Sequence, residues 1–144
     1  MKRRRALVGP LGPALVHEAS RWQKEIATEF GLLHDDAYRV DLCVEELVTN
    51  IVNHTVPQCA EAPVELRAEI DDDILRLTFI DPCLPFDPFA RPAPAKVESI
   101  EDADVGGMGI HLVRQFSDEH RYECRDGVNT VELVFKLARP EQPC

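Results

Sequence analysis

Three groups of residues have the types and spacing that chemistry could use. The first lies on one amphipathic segment, where Glu46 and Asn50 stand four apart with Asn53 and His54 close behind. At about 100° per residue on a helix, Asn50 lies roughly 60° and His54 roughly 20° from Leu47. These polar groups therefore flank the apolar stripe instead of opposing it. A polar group at that edge finds a partner or lines a cavity, because an unpaired buried amide costs about 1–3 kcal/mol. The second group is Asp81 in Asp81-Pro82-Cys83-Leu84-Pro85-Phe86-Asp87, where a carboxylate at a strand end can accept a hydrogen bond from an exocyclic amine such as that of adenine. The third is Gly106-Gly107-Met108-Gly109 immediately before a helical pattern. Glycines let backbone approach a ligand, and a helix N-terminus offers free N–H groups and a positive dipole to phosphate. Taken singly, each has an ordinary reading: a surface Glu and Asn sharing a helix, a turn-forming Asp before proline, and a flexible loop end.

The elements that must position these groups follow from periodicity. Residues 3 to 8 read as a short first strand at an end expected to fray, broken by Gly9-Pro10. Ala14 to Phe30 reads as a helix ending near Gly31, with Val16, Ala19, Trp22, Ile26 and Phe30 at helical spacing. A second helix spans about Asp35 to Thr55, buried along Val40, Cys43, Val44, Leu47, Val48 and Ile51 and stopped by Pro57. Asp35 and Asp36 suit its positive end. Val64 to Ile70 and Ile74 to Ile80 alternate as strands of a hairpin around Asp71-Asp72-Asp73. From Asp81 to Gly107 periodicity is lost and prolines recur, which marks a functional or disordered loop. A third helix runs from Gly107 through Ile110, Leu112, Val113 and Phe116. Strands Arg121 to Arg125 and Asn129 to Leu137 then flank an Asp126-Gly127 turn. The expected fold class is α+β, a two-layer sandwich of a mostly antiparallel sheet with helices on one face, in a single domain over residues 1–144.

Composition narrows the function classes. The 144 residues carry 16 basic and 26 acidic side chains, a net charge of −10, with Arg3 to Arg5 in the only basic cluster. Such a surface repels nucleic acid, whose binding needs clustered Lys and Arg, while it can attract a basic protein. No apolar run approaches the roughly 18 residues of a membrane span, and Lys2-Arg3-Arg4-Arg5 precedes no long apolar h-region. A cytoplasmic location is the expectation. The five cysteines, Cys43, Cys59, Cys83, Cys124 and Cys144, show no metal-binding spacing. They read as reduced thiols, with Cys43 and Cys124 packed as small hydrophobes.

Taken in order, "VEELVTNIVNH", "DPCLPFDP" and "GGMGIHLVRQFSDEHRYECRDGVNTVEL" resemble the GHKL (Bergerat-type) ATPases. Within that superfamily they are similar to the small bacterial anti-sigma factors that are also serine kinases, and the resemblance covers nearly the whole chain. It implies the histidine-kinase-like ATPase fold and the cofactors ATP and Mg²⁺. Glu46 would take the proton from an attacking serine hydroxyl, and Asn50 would ligate Mg²⁺ while helping hold the nucleotide. Asp81 would bind the adenine amine. Gly107, Met108 and Gly109 would hold the phosphates, Thr130 would stand near the adenine, and residues 87–106 would form the lid, with an acidic second half. The resemblance further implies phosphorylation of an anti-anti-sigma (STAS-type) partner, sequestration of a sigma factor, and a homodimer. Phosphoryl transfer asks mainly for positioning and charge neutralisation, which such a set supplies. One departure stands out: Cys83 occupies the glycine position of the family's D-x-G-x-x-F pattern, where a side chain would crowd the base or redirect the strand end. Two other readings follow, a partner-switching binding module that has lost kinase activity, and a nucleotide-gated regulator outside sigma control.

Overall fold

The computed structural model describes residues 2–54, 56–90 and 107–138. Its elements are β1 (Arg3–Pro10), α1 (Ala14–Glu29), α2 (His34–Asn53), β2 (Pro63–Asp71), β3 (Ile74–Asp81), α3 (Gly107–Phe116), β4 (Glu119–Arg125) and β5 (Val128–Lys136), with a 3-10 turn at Pro57–Cys59. The five strands form one sheet in the order β1-β2-β3-β5-β4, and every neighbouring pair is antiparallel.

The pleat sorts side chains to two faces. Inward from β2, β3 and β5 point Leu66, Leu75, Leu77, Phe79, Leu133 and Phe135, all essentially inaccessible. Helices α1 and α2 cover them with Leu15, Trp22 and Ile26 and with Val40, Val44, Leu47 and Val48. Burial of each such side chain contributes about 1.5–3 kcal/mol, so this layer carries the fold. The opposite face is charged: Arg67 pairs with Glu65, Arg4 with Glu69, and Arg76 with Glu132. Exposed pairs of this kind stabilise by about 1 kcal/mol at most, and they keep that face solvated.

Polar links fix the helices. The buried Gln23 of α1 donates from Nε2 to Asp41 Oδ1 of α2 at 2.8 Å. Arg39 reaches across to the ends of α3 and β5, donating to Phe116 O at 2.8 Å, Lys136 O at 3.1 Å and Asp36 Oδ1 at 2.9 Å. Asp36 Oδ2 in turn accepts from the Ala138 N–H at 2.7 Å. Asp36 thus does more than face the helix dipole: it ties the first turn of α2 to the strand that leaves the sheet.

Several boundaries differ from the periodicity-based reading. β1 continues through Gly9-Pro10, paired with β2 along its whole length and not frayed. Pro10 is tolerated there because it closes an edge strand, where a missing donor costs little. α2 stops at Asn53, capped by the His54 N–H on Asn50 O; Thr55 lies outside the described residues. The Asp126-Gly127 turn has positive φ at both positions, 53° and 76°, the two-residue geometry whose twist matches the flanking strands.

Candidate nucleotide site

Asp81 closes β3 directly opposite Asn129 of β5 in the strand register, and both are buried, at 7% and 4% exposure. Asn129 Nδ2 donates to Asp81 Oδ1 at 3.1 Å and to the carbonyls of Cys83 and Leu84 at 3.2 and 3.0 Å. Its Oδ1 accepts from the Tyr122 hydroxyl, whose oxygen accepts from the Phe86 N–H at 3.1 Å. The Cys83 N–H also donates to Asp81 Oδ1, at 3.1 Å. Both bonds to the carboxylate thus fall on one oxygen, which fixes its plane and leaves Oδ2 as the atom able to accept from a ligand amine.

A small cleft of about 30 Å³ opens beside this carboxylate. Leu47 and Asn50 of α2, with the capping His54, form one wall, and Cys83, Leu84 and Phe86 form another. The Phe86 and His54 rings stack at 3.8 Å. Asn50 therefore shares a cleft with Asp81, although 30 residues separate them in the chain. Phe89 N–H and Ala90 N–H close a turn on Asp87, and Arg114 of α3 donates to Phe89 O. Of the expected lid at 87–106, only residues up to Ala90 fall within the described set.

One turn before Asn50 on α2, Glu46 meets α3. A Cβ placed on Gly109 would lie 1.8 Å from Glu46 Oε2 and 2.5 Å from its Cδ, so glycine is the residue that admits this carboxylate. Burial, and secondarily the neighbouring Glu45, push the Glu46 carboxyl above its ordinary range. The result is a proton-accepting group held against the first turn of α3, the turn that also contains Gly107 and Met108. A helix start of this kind presents unpaired N–H groups suited to phosphate.

The sequence-derived set is thus partly gathered. Glu46 and Gly109 are in contact, Asn50 and Asp81 share the cleft, and Gly107 and Met108 open α3. Thr130 is not brought in: it pairs with Ile80, one position off the Asp81–Asn129 pair, so the pleat turns it to the opposite face. Asn129 is the β5 residue that stands opposite Asp81. The reduced-thiol reading also needs correction. Cys59 and Cys83 form a disulfide with Cα atoms 5.5 Å apart, and Cys124 is exposed, whereas Cys43 is buried as expected. Burial pushes the Cys43 thiol up to about 12, with Arg39 opposing and Glu46 adding to the shift. The disulfide draws the Cys83 sulfur toward the turn after α2.

A model of the histidine kinase-like ATPase domain matches residues 10–135. The chain belongs to that family. It is 28% identical over 121 residues to the serine/threonine-protein kinase BtrW of Bordetella bronchiseptica, covering 84% of this chain and 85% of that one. It is also 28% identical over 118 residues to the serine-protein kinase RsbW of Bacillus licheniformis, covering 79% and 73%. To the anti-sigma F factor of Clostridium beijerinckii it is 26% identical over 102 residues, covering 71% of each. Among solved structures, the RsbU and RsbW domains of a Mycobacterium tuberculosis protein superpose with a TM-score of 0.72 at 17% identity. That match covers 96% of this chain and 33% of the other. The SiaB–SiaC complex of Pseudomonas aeruginosa gives 0.64 at 14% identity, covering 91% and 88%. The structural likenesses establish the α+β fold of this ATPase family.

Proposed function

We propose that this histidine kinase-like ATPase domain is a serine/threonine protein kinase of the anti-sigma type, transferring phosphate from ATP to a STAS-type anti-anti-sigma partner and sequestering a sigma factor. The observation that carries the reading is the contact between Glu46 and Gly109, which puts a carboxylate of raised proton affinity at the helix start where phosphates would sit. The names of the sequence relatives, two of them protein kinases and one an anti-sigma factor, support the same reading. So does the net charge of −10, which favours protein partners over nucleic acid.

In this reading Asp81, its plane set by Asn129, accepts from the adenine amine and orients the base. The N–H groups at the start of α3, around Gly107, Met108 and Gly109, hold the phosphates. Glu46 accepts the proton of the attacking hydroxyl; desolvation raises its basicity toward the operating pH, where a general base works best. Asn50 would hold Mg²⁺ through its side-chain oxygen. Mg²⁺ is commonly bound through phosphates and water with one or two protein oxygens, the part Asn50 would supply. When bound, Mg²⁺ neutralises charge on the phosphates. No helix among the described residues is long and apolar enough to cross a membrane, and a homodimer in the cytoplasm completes the proposal.

The test is phosphate transfer from labelled ATP to the STAS-type protein encoded nearest this gene. Glu46→Ala should lower transfer about 10²- to 10⁴-fold while ATP binding persists. Transfer undiminished in that variant would refute the assignment of the base. A second reading, a partner-binding module without catalysis, is favoured by the small volume of the cleft beside Asp81. It predicts partner binding indifferent to nucleotide.

A further inference from the structure

Cys59 and Cys83 occupy opposite sides of a mechanical question. Cys59 ends the 3-10 turn that follows α2, and it is anchored: its N–H donates to Val56 O at 2.9 Å and its side chain is only 8% exposed. Cys83 lies two residues past Asp81 and lines the cleft. Their Cα separation of 5.5 Å is at the usual spacing for a disulfide. With this bond in place, Cys83, Leu84 and Phe86 form the cleft wall beside Leu47, Asn50 and His54. They are held by Asn129 on two carbonyls, by Tyr122 on the Phe86 N–H, and by the stack of Phe86 on His54. The remaining cleft of about 30 Å³ is an order of magnitude below the roughly 300 Å³ at which small-molecule sites begin. The hydrogen bonds and the stack can exchange with water or a ligand. The covalent tie cannot.

We propose that Cys59 and Cys83 are a thiol–disulfide modification site that gates the nucleotide cleft, closed when oxidised and open to ATP when reduced; the gating rests on the nucleotide-site reading above. The oxidant is a low-molecular-weight disulfide. Cys83, the more accessible of the two, loses its proton to solvent, and its thiolate attacks one sulfur of that disulfide. This forms a mixed disulfide and expels one small thiolate, which takes up a proton. The Cys59 thiolate then attacks the Cys83 sulfur, forming the protein disulfide and expelling the second small thiolate, which takes the proton Cys59 gave up. Two protein thiols lose two electrons and one small disulfide becomes two thiols, the ordinary course of exchange. A dithiol reductant reverses both steps and frees the Cys83 segment to move off α2. Cys43 takes no part, because it is buried and its thiol is held protonated. The exposed Cys124 has no cysteine partner among the described residues.

The experiment is calorimetric titration with ATP and Mg²⁺ of the whole chain in four samples. These are the wild type treated with oxidised glutathione or with dithiothreitol, and the chain carrying Cys59→Ala, a residue outside the cleft lining, under both treatments. Mass spectrometry of each sample counts the hydrogens lost to the bond, and peptide mapping locates it. If oxidation holds the open form to about a tenth of its reduced population, apparent affinity falls about tenfold. The expected result is that loss on oxidation of the wild type, with reduced Cys59→Ala binding ATP as the reduced wild type does; oxidised Cys59→Ala, lacking the resolving thiol, should carry one glutathione on Cys83 and no internal bond. A mapped Cys59–Cys83 bond with undiminished ATP affinity would overturn the gate and leave the nucleotide reading standing. Absence of the bond after oxidation would overturn the pair. Absence of ATP binding in every sample, reduced and variant included, would overturn the nucleotide reading and the gate with it.

Discussion

Replacing Gly109 with alanine separates the two roles that this glycine could play. The new Cβ would lie 1.8 Å from Glu46 Oε2, 2.5 Å from Cδ and 3.2 Å from Cγ, distances at which the two side chains cannot coexist. The obstructing atoms are the end of a flexible side chain, so the carboxylate swings aside and the backbone of α3 stays in place. An off-rotamer Glu46 costs about 0.5–1.5 kcal/mol, and replacing glycine by alanine in a helix returns up to about 1 kcal/mol. Stability should therefore change by no more than about 1.5 kcal/mol, a shift of several degrees in Tm at most. Activity should not survive as well, because a displaced general base forfeits about 10²- to 10⁴-fold in rate. The decisive comparison is made in the Glu46→Ala background, where the obstructing carboxylate is gone. There Gly109→Ala should cause no further loss of phosphate transfer and should raise Tm slightly, so the two substitutions are non-additive. Phosphate transfer, ATP titration and thermal melting on the four proteins complete the cycle. If Gly109→Ala weakens ATP binding, and lowers transfer by the same factor with or without Glu46, then the glycine serves the phosphates and not the carboxylate. That result would refute the reasoning.

Glu46 also gives the protein a pH signature. Its folded carboxyl binds a proton more tightly than the unfolded one because of burial, so its contribution to stability is complete below the ordinary glutamate pKa and is lost as pH rises through the raised value. Glu46→Gln, permanently neutral, should raise Tm relative to wild type at neutral pH and give no gain below about pH 4; phosphate transfer by the wild type should fall on acidification through the same raised value. Asn129→Ala removes the donor to Asp81 and two carbonyls and should cost about 1–3 kcal/mol in urea unfolding. It should also weaken ATP binding and relax preference for adenine over guanine nucleotides. Arg39→Ala leaves Asp36 buried without its cation and should cost about 3 kcal/mol with little effect on ATP affinity in the folded protein. Reduction of Cys59–Cys83, which spans a sequence separation of 24, should lower the unfolding free energy by about 3.5 kcal/mol through the freedom it restores to the unfolded chain; an unchanged melting curve would contradict this.

What the sequence made legible, and what it hid, divides along local and non-local lines. The helical stripe around Leu47, the Asp126-Gly127 hairpin and the glycine turn before α3 depend on neighbours within a few residues, so their residue types announce them. The partner of Asp81 depends on register between β3 and β5, which are joined by a long connection and not by a tight turn. No local pattern states whether Asn129 or Thr130 faces Asp81, and a one-residue slip exchanges them. The Asp126-Gly127 turn sets β4 against β5 but is silent about β5 against β3. Cys59 and Cys83 were hidden for the same reason, since an odd number of cysteines at unremarkable spacing fixes no pairing. Gly109 shows the converse. Its place in a glycine turn before a helix could be read locally, whereas its contact with Glu46 arises only when α2 and α3 pack. The same packing holds the carboxylate partly out of water, so the feature that hid the contact is also what makes Glu46 a stronger base than an exposed glutamate.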